Sequence, residues 1–369
     1  MTTPSGPKVL TTRELNRATL ARQLLLDRAP MTAHDAVAHL LGLQAQNQKP
    51  PYYSLAARLA DFDPMELSGL LESRAAVRIV AMRSTVHLLT ADDTPVLRQL
   101  GQPALERELK NFLPGLPGVD LDRLAALARA FVEEEPRTGQ QIGTELRAHW
   151  PDADPLALRI AARARLALVQ VPPRGLWGRS GQATLTTVES WLGRPLEEEA
   201  DFAPVVLRYL AAFGPASVKD MQLWCGRTRL RAVFDRLRPQ LRALRGPDGV
   251  ELYDVPDAPL PDPDTPAPPR FLPEYDNLVL SHADRTRVVP AEYRGRTWQG
   301  NSNHCVFLVD GFLRGIWRIE EGDGAATMVV EPFAALSRSE LADVEREAAG
   351  VLEMTASGAA HDVRVGAVR

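Results

Sequence analysis

Seven prolines fall between Pro256 and Pro269, in the run PDAPLPDPDTPAPPR. Proline has no backbone N–H and its ring fixes φ, so this run excludes both a helix and a central strand. Residues 257–270 therefore read as a rigid surface connector or loop. The chain of 369 residues is divided there into a long helical part and a shorter part of different character.

Ahead of the connector one plan recurs. In residues 10–100, Thr11 or Thr12 can cap a helix over 11–29, whose face carries Leu15, Leu20, Leu24 and Leu25. Thr32 opens a second helix over 32–42, and helical patterns resume at 52–59 and 64–73. Residues 75–90 alternate as a strand pair, and a helix follows at 92–100. In residues 120–192 the helices fall at 121–134, 140–149 and 156–164, with a strand–turn–strand over 166–188. In residues 200–256 they fall at 202–213, 217–224 and 228–236, and strands 241–245 and 250–255 flank a Gly-Pro-Asp-Gly turn. Three helices and a hairpin is the winged-helix plan. An α+β fold of tandem winged-helix units is expected. Residues 271–369 read as a small β-rich domain or partial barrel. Strand-like runs fall at 272–280, 297–309, 313–319 and 326–332, with a helix at 339–353 and an alternating tail, HDVRVGAV.

The net charge of -4 does not announce a nucleic-acid partner, so its distribution matters more. From Arg208 to Arg245 there are nine Lys or Arg against two acids, Asp220 and Asp235. Cys225 and Cys305 form neither a metal motif nor a disulfide framework, and a reducing compartment is the simplest setting. The opening MTTPSGPKV has no apolar stretch, and no long apolar run occurs later. A cytoplasmic protein with no membrane partner is expected.

Three segments can carry chemistry. The first is Leu43-Gln44-Ala45-Gln46-Asn47-Gln48-Lys49-Pro50-Pro51. If the backbone is extended there, Gln44 and Gln46 point to one side, where two amides can hold a water or read a base edge. Composition alone also fits a polar connector between helices. The second segment runs from Arg78 to Thr90 and sets Arg83 and His87 among apolar neighbours. His87 can orient a catalytic group or meet a phosphate, or simply be a satisfied core histidine. The third, 271–285, holds Glu274, Asp276, Asn277, His282, Asp284 and Arg285. His282 and Asp284 lack an evident third ligand beyond His304, so no metal is expected. Walker, GxGxxG, HExxH and GxSxG motifs are absent, which leaves NTPase, dinucleotide and zinc-hydrolase readings without support.

In LTTRELNRATLARQLLL, GLQAQNQKPPYYSLAARL and MRSTVHLLTADD (residues 10–100) the chain resembles the opening of the bacterial winged-helix DNA glycosylases. FLPEYDNLVLSHADR (271–285) resembles the signature of that family's C-terminal part. The likeness runs through nearly the whole chain in order and is greatest to the branch that unhooks interstrand crosslinks. It implies tandem winged helices forming a C-shaped channel around DNA. It places a catalytic glutamine–apolar–glutamine motif on Gln44-Ala45-Gln46, where a broader-acting branch carries aspartate at the last position. It implies double-stranded DNA carrying N7-alkylated or crosslinked purines as partner, hydrolysis without abasic-site cleavage, no cofactor, a monomer at the nucleoid, and a role in repair and self-resistance to a crosslinking antibiotic. Phosphate contacts are expected from Lys49, Arg58, Arg83, Arg174, Arg179 and Arg285, with supporting roles for Asn47, His87 and His282. A winged-helix transcription regulator or a non-catalytic lesion-binding protein is the alternative.

Overall fold

The first helix, Thr12–Arg22, starts at a reciprocal capping box between Thr11 and Glu14. It ends earlier than its leucine pattern suggests, because Leu24 turns to a left-handed φ of 58°. The helix is polar yet buried: Asn16, Arg17, Thr19 and Arg22 are almost inaccessible. Buried polar groups need partners, and these have them. Arg22 pairs with Asp254 at 2.6 Å. Arg17 Nε donates to the Thr265 carbonyl at 2.7 Å, and Arg13 Nε to that of Pro263 at 2.8 Å. The proline-rich connector is thus pinned along this helix.

The computed structural model describes residues 7–196, 200–299, 302–322 and 324–369. It is a mixed α+β fold. The strand pair expected at 75–90 forms as Ala76–Val80 and Val86–Thr90, and the second hairpin as Leu168–Val171 and Thr184–Thr187. The two hairpins do not stay separate. Arg78 pairs with Gln170 and Ile79 with Val169, so both join one six-stranded sheet. One of its two edge strands is Leu43–Gln44, antiparallel to Val86–Thr90. That edge is where the glutamine segment begins.

The third helical unit comprises Ala203–Phe213, Val218–Cys225 and Arg231–Leu237 with the hairpin Arg242–Arg245 and Glu251–Asp254. Tyr209, Phe213 and Trp224 pack as one aromatic cluster inside it.

The C-terminal part is an open five-stranded sheet. Its order is Ala360–Val365, Ala325–Pro332, Phe312–Gly322, Cys305–Val309 and Arg270–Leu272, and the helix Arg338–Thr355 packs on it. The strand expected over 272–280 stops at Leu272 and gives way to a short helix, Asn277–Leu280. Asp276 explains the change: it accepts from the Leu278 N–H at 2.9 Å and caps that turn. Among the described residues, no helix is long and apolar enough to cross a membrane.

Candidate active site

The glutamine segment leaves the sheet edge as a strand and then bends. Leu43 pairs with Leu88, Gln44 with His87, and the Ala45 N–H donates to the Val86 carbonyl at 2.8 Å. Leu43 and Ala45 are buried in the core with Tyr52, Leu55 and Leu88. Alternation then turns Gln44 and Gln46 to the other face. Gln44 is 8% exposed, whereas Gln46 stands in solvent. The Val86 N–H donates to Gln46 Oε1 at 3.3 Å.

Beyond Ala45 the backbone is held by Arg78. This residue is buried on the central strand of the sheet, and its Nη2 donates to the Ala45 carbonyl at 2.7 Å and to that of Asn47 at 3.3 Å. Burial pulls its guanidinium down to about 10, still charged at neutral pH. Gly175 covers it: a Cβ there would lie 2.6 Å from Arg78 Cδ. The covering turn is fixed in turn by Tyr52, whose hydroxyl donates to the Gly175 carbonyl at 2.7 Å, while Trp177 packs on the Tyr52 ring at 4.8 Å. Trp177 is thereby anchored on the rings of Tyr52 and Tyr53.

Arg83 sits at the tip of the first hairpin, where Arg83 and Ser84 both take left-handed φ, 53° and 57°. Such residues cost about 1–3 kcal/mol each and persist only when their surroundings enforce them. Here Arg83 Nη2 donates to Gln44 Oε1 at 2.7 Å and lies 3.3 Å from His87 Nε2, and Nη1 donates to the Trp224 carbonyl. Burial, with a further push from Arg285, brings Arg83 down to about 10. His87 is buried beside that cation, and both effects hold it neutral, near 3.

The signature at 271–285 passes under this loop. Asn277 Nδ2 donates to the Gly42 carbonyl at 2.8 Å, and Asn47 Nδ2 donates to Glu274 at 2.8 Å. The two segments that carry the family likeness are therefore in contact. Lys49 is paired with Glu321 at 2.7 Å across an exposed gap. In the amide orientation that satisfies both neighbours, Gln48 donates to the Arg179 carbonyl and accepts from Arg174, each at 3.0 Å. A cavity of ≈ 920 Å³ opens here, lined by Asn47, Lys49, Arg174, Trp177 and Arg179. Arg179 and Arg285 are exposed, and no side-chain partner occupies either guanidinium among the described residues.

Two expected residues lie elsewhere. Arg58 is fully buried and grips Asp276 through two bonds, of 2.7 and 2.9 Å. It cannot reach a phosphate in this geometry, because its charge is taken up by Asp276. His282 is buried with its Nε2 2.8 Å from the Phe213 carbonyl and 3.1 Å from Arg287, remote from the glutamines in its contacts. Burial lowers it to about 3. Among the described residues, no group of three or more His, Cys, Asp or Glu is placed to hold a metal ion. Arg78 was not singled out in the sequence, although a lone arginine in the apolar run AAVRIVAM was a signal for it.

The ionisable side chains that touch this loop from the hairpin, His87 near 3 and Arg83 and Arg78 near 10, do not titrate near neutrality. A flat rate profile from about pH 6 to 9 is expected for chemistry on this loop. Stability behaves differently. His87 and His282 have folded values below that of a free histidine, so the unfolded chain binds protons first. Stability is full above about pH 6.5 and falls on acidification, by up to about 1.4 kcal/mol per pH unit for each histidine. Denaturation midpoints across that range check the trend, and midpoints that rise on acidification would contradict it.

The description "DNA glycosylase AlkZ-like" fits residues 37–354. An interstrand DNA cross-link repair glycosylase of Streptomyces sahachiroi is 27% identical over 371 aligned positions, covering 90% of this chain and 93% of that protein. The solved structure of the Streptomyces sahachiroi DNA glycosylase AlkZ superposes with a TM-score of 0.77, at 21% identity, covering 97% of this chain and all of that one.

Proposed function

The chain belongs to the AlkZ-like DNA glycosylases, and on that premise we propose that it hydrolyses the N-glycosidic bond of N7-alkylated purines in duplex DNA, including purines tied into interstrand crosslinks. The observation that carries this reading is the loop itself. Two neutral amides, Gln44 and Gln46, lie on one face of a backbone clamped by Arg78, and the imidazole beside them, His87, is turned to Arg83.

Glutamine has no proton equilibrium near neutrality and cannot serve as a strong general base. An N7-alkylated purine does not need one. Its ring already carries a positive charge, so it departs as a neutral molecule without protonation. The sugar left behind develops oxocarbenium character. The protein has only to hold a water and aim dipoles, and Gln46 Oε1 keeps a lone pair for that water beside its bond to Val86 N–H.

A crosslinked purine is tethered to the opposite strand and cannot swing freely into a closed pocket, as the targets of many base-repair enzymes do. The solvent position of Gln46 suits approach to an intact duplex along an open, C-shaped channel. Binding is by phosphate contact, because a lesion enzyme must not demand a sequence. Lys49, Arg174, Arg179 and Arg285 are the side chains free or loosely enough paired to make it. The Lys49–Glu321 pair is half exposed on both sides and is weak enough for a phosphate to displace. Replacing Lys49, Arg179 or Arg285 singly by alanine is expected to lower the slope of log K against log salt by about one. Titrations at several salt concentrations check this, and three unchanged slopes would remove these residues from the interface. The protein acts as a monomer at the nucleoid, in repair and in self-resistance to a crosslinking antibiotic.

The test is incubation with a duplex holding a single N7-alkylguanine crosslink, followed by separation of strands and free base. Unhooked, unnicked strands are expected. Tight binding with the bond intact would turn the reading toward a regulator or a lesion-binding protein.

A further inference from the structure

Gln44, like Gln46, has its amide oxygen on a donor of the protein, but the bond is shorter, comes from a cation and is buried. Arginine has only donors to offer, so the Gln44 atom 2.7 Å from Arg83 Nη2 must be the amide oxygen. His87 Nδ1–H donates to the Thr85 carbonyl at 2.9 Å, so its Nε2 lone pair faces the same guanidinium. The Trp224 carbonyl takes Nη1. Every proton in this chain is assigned, and none of it can reverse without leaving Arg83 facing a donor. What Gln44 turns outward is Nε2 with its two hydrogens, which has no partner among the described residues. The side chain is nine-tenths buried, so the amide has little freedom to turn over.

We propose that Gln44 acts as a hydrogen-bond donor to the departing purine, and that Arg83 is the positioning residue that turns its amide that way. The inference rests on the glycosylase reading above. As the C1′–N9 bond breaks, its electron pair moves to N9 and cancels the charge of the alkylated ring. Positive charge is left on the sugar until water oxygen bonds to C1′ and the surplus proton passes to solvent. An amide presenting hydrogens repels the sugar cation and attracts the ring that is gaining electrons. The ring acceptor that gains density with N9 is N3, which every purine carries. Gln46 stands in solvent on one 3.3 Å contact, which leaves its oxygen a lone pair for the water, whereas buried Gln44 is fixed with its nitrogen outward and serves the base. The two glutamines thus act at opposite ends of the breaking bond, and Arg83 leaves the set of phosphate contacts.

Gln44→Glu separates the possibilities. It keeps the size of the side chain and an oxygen for Arg83, but replaces the outward N–H groups by a carboxylate oxygen. Single-turnover release of N7-methylguanine is expected to fall about 100-fold, the scale of removing one well-placed donor, with the unfolding midpoint retained. Equal or faster release overturns the proposal, since a carboxylate would steady a sugar cation better than an amide does. Arg83→Met is expected to slow release at saturating enzyme with the salt slope unchanged, and Arg83→Lys to restore part of the rate. An unchanged rate with a slope reduced by about one would return Arg83 to the phosphates and overturn it. Replacing the N7-methylguanine by its 3-deaza analogue should slow the wild-type protein more than Gln44→Ala; equal slowing contradicts the assignment to N3. Wild-type release in the same assay keeps the two readings apart. No release at all defeats the glycosylase reading, whereas normal wild-type release with an active Gln44→Glu defeats this inference alone.

Discussion

Gln46→Ala is expected to slow single-turnover release of N7-methylguanine by about 100-fold or more, the loss seen when one preorganised polar group is removed from a reacting centre. The fold should not suffer, because the side chain is exposed and, among the described residues, its one bond is the 3.3 Å contact from Val86 N–H. Duplex affinity should also hold, since Gln46 carries no charge for a phosphate. A fall in rate with intact folding and binding assigns the loss to the held water. Gln46→Asp extends the argument. A carboxylate is a better base and a better partner for a sugar cation, so lesions with poorer leaving groups should become substrates. Measured release from Gln46→Ala within a few-fold of wild type, or no gain by Gln46→Asp on any less activated lesion, contradicts this role.

The second large effect concerns stability. Arg58 and Asp276 are both fully inaccessible, and the pair also holds Ser54, whose hydroxyl donates to Asp276 at 2.8 Å. Removing one partner of a buried pair leaves the other charge unpaired and costs about 3–5 kcal/mol. Arg58→Ala and Asp276→Ala should each lose that much in denaturant titrations. Arg58→Met with Asp276→Leu should recover part of it, because the burial cost of both charges is removed together while the Leu278 N–H and the Ser54 hydroxyl lose their acceptor. The loss reaches the site, since Asp276 caps the turn that presents Asn277 to the Gly42 carbonyl. Midpoints unchanged by either single substitution would show that the pair is not held as described.

Much of the fold was legible because its signals are local. The capping pairs Thr11–Glu14 and Ser337–Glu340 mark helix starts, and the prolines of the connector forbid any regular element. Alternation at 75–90 gave the hairpin that presents Arg83 and His87. What was not legible depends on contacts distant in sequence. Nothing local shows that Asp276 will be drawn to Arg58 and so end a strand as a capped turn. Nothing local shows that Arg78 will reach the carbonyls of Ala45 and Asn47, or that Arg58, expected to meet a phosphate, will be buried against Asp276. An arginine reads alike in sequence whether it meets phosphate, carboxylate or backbone. Burial decides among these, and burial is a property of the assembled fold.

The central claim is that damage supplies the positive charge and the protein supplies neutral dipoles and a held water. It is tested most directly by comparing release of N7-methylguanine with release of 7-deaza-7-methylguanine, placed singly in the same duplex. The two bases share a shape, but only the first is cationic. Rapid release of the first with no measurable release of the second is the predicted result. Comparable release of both, or release of neither, would contradict the claim.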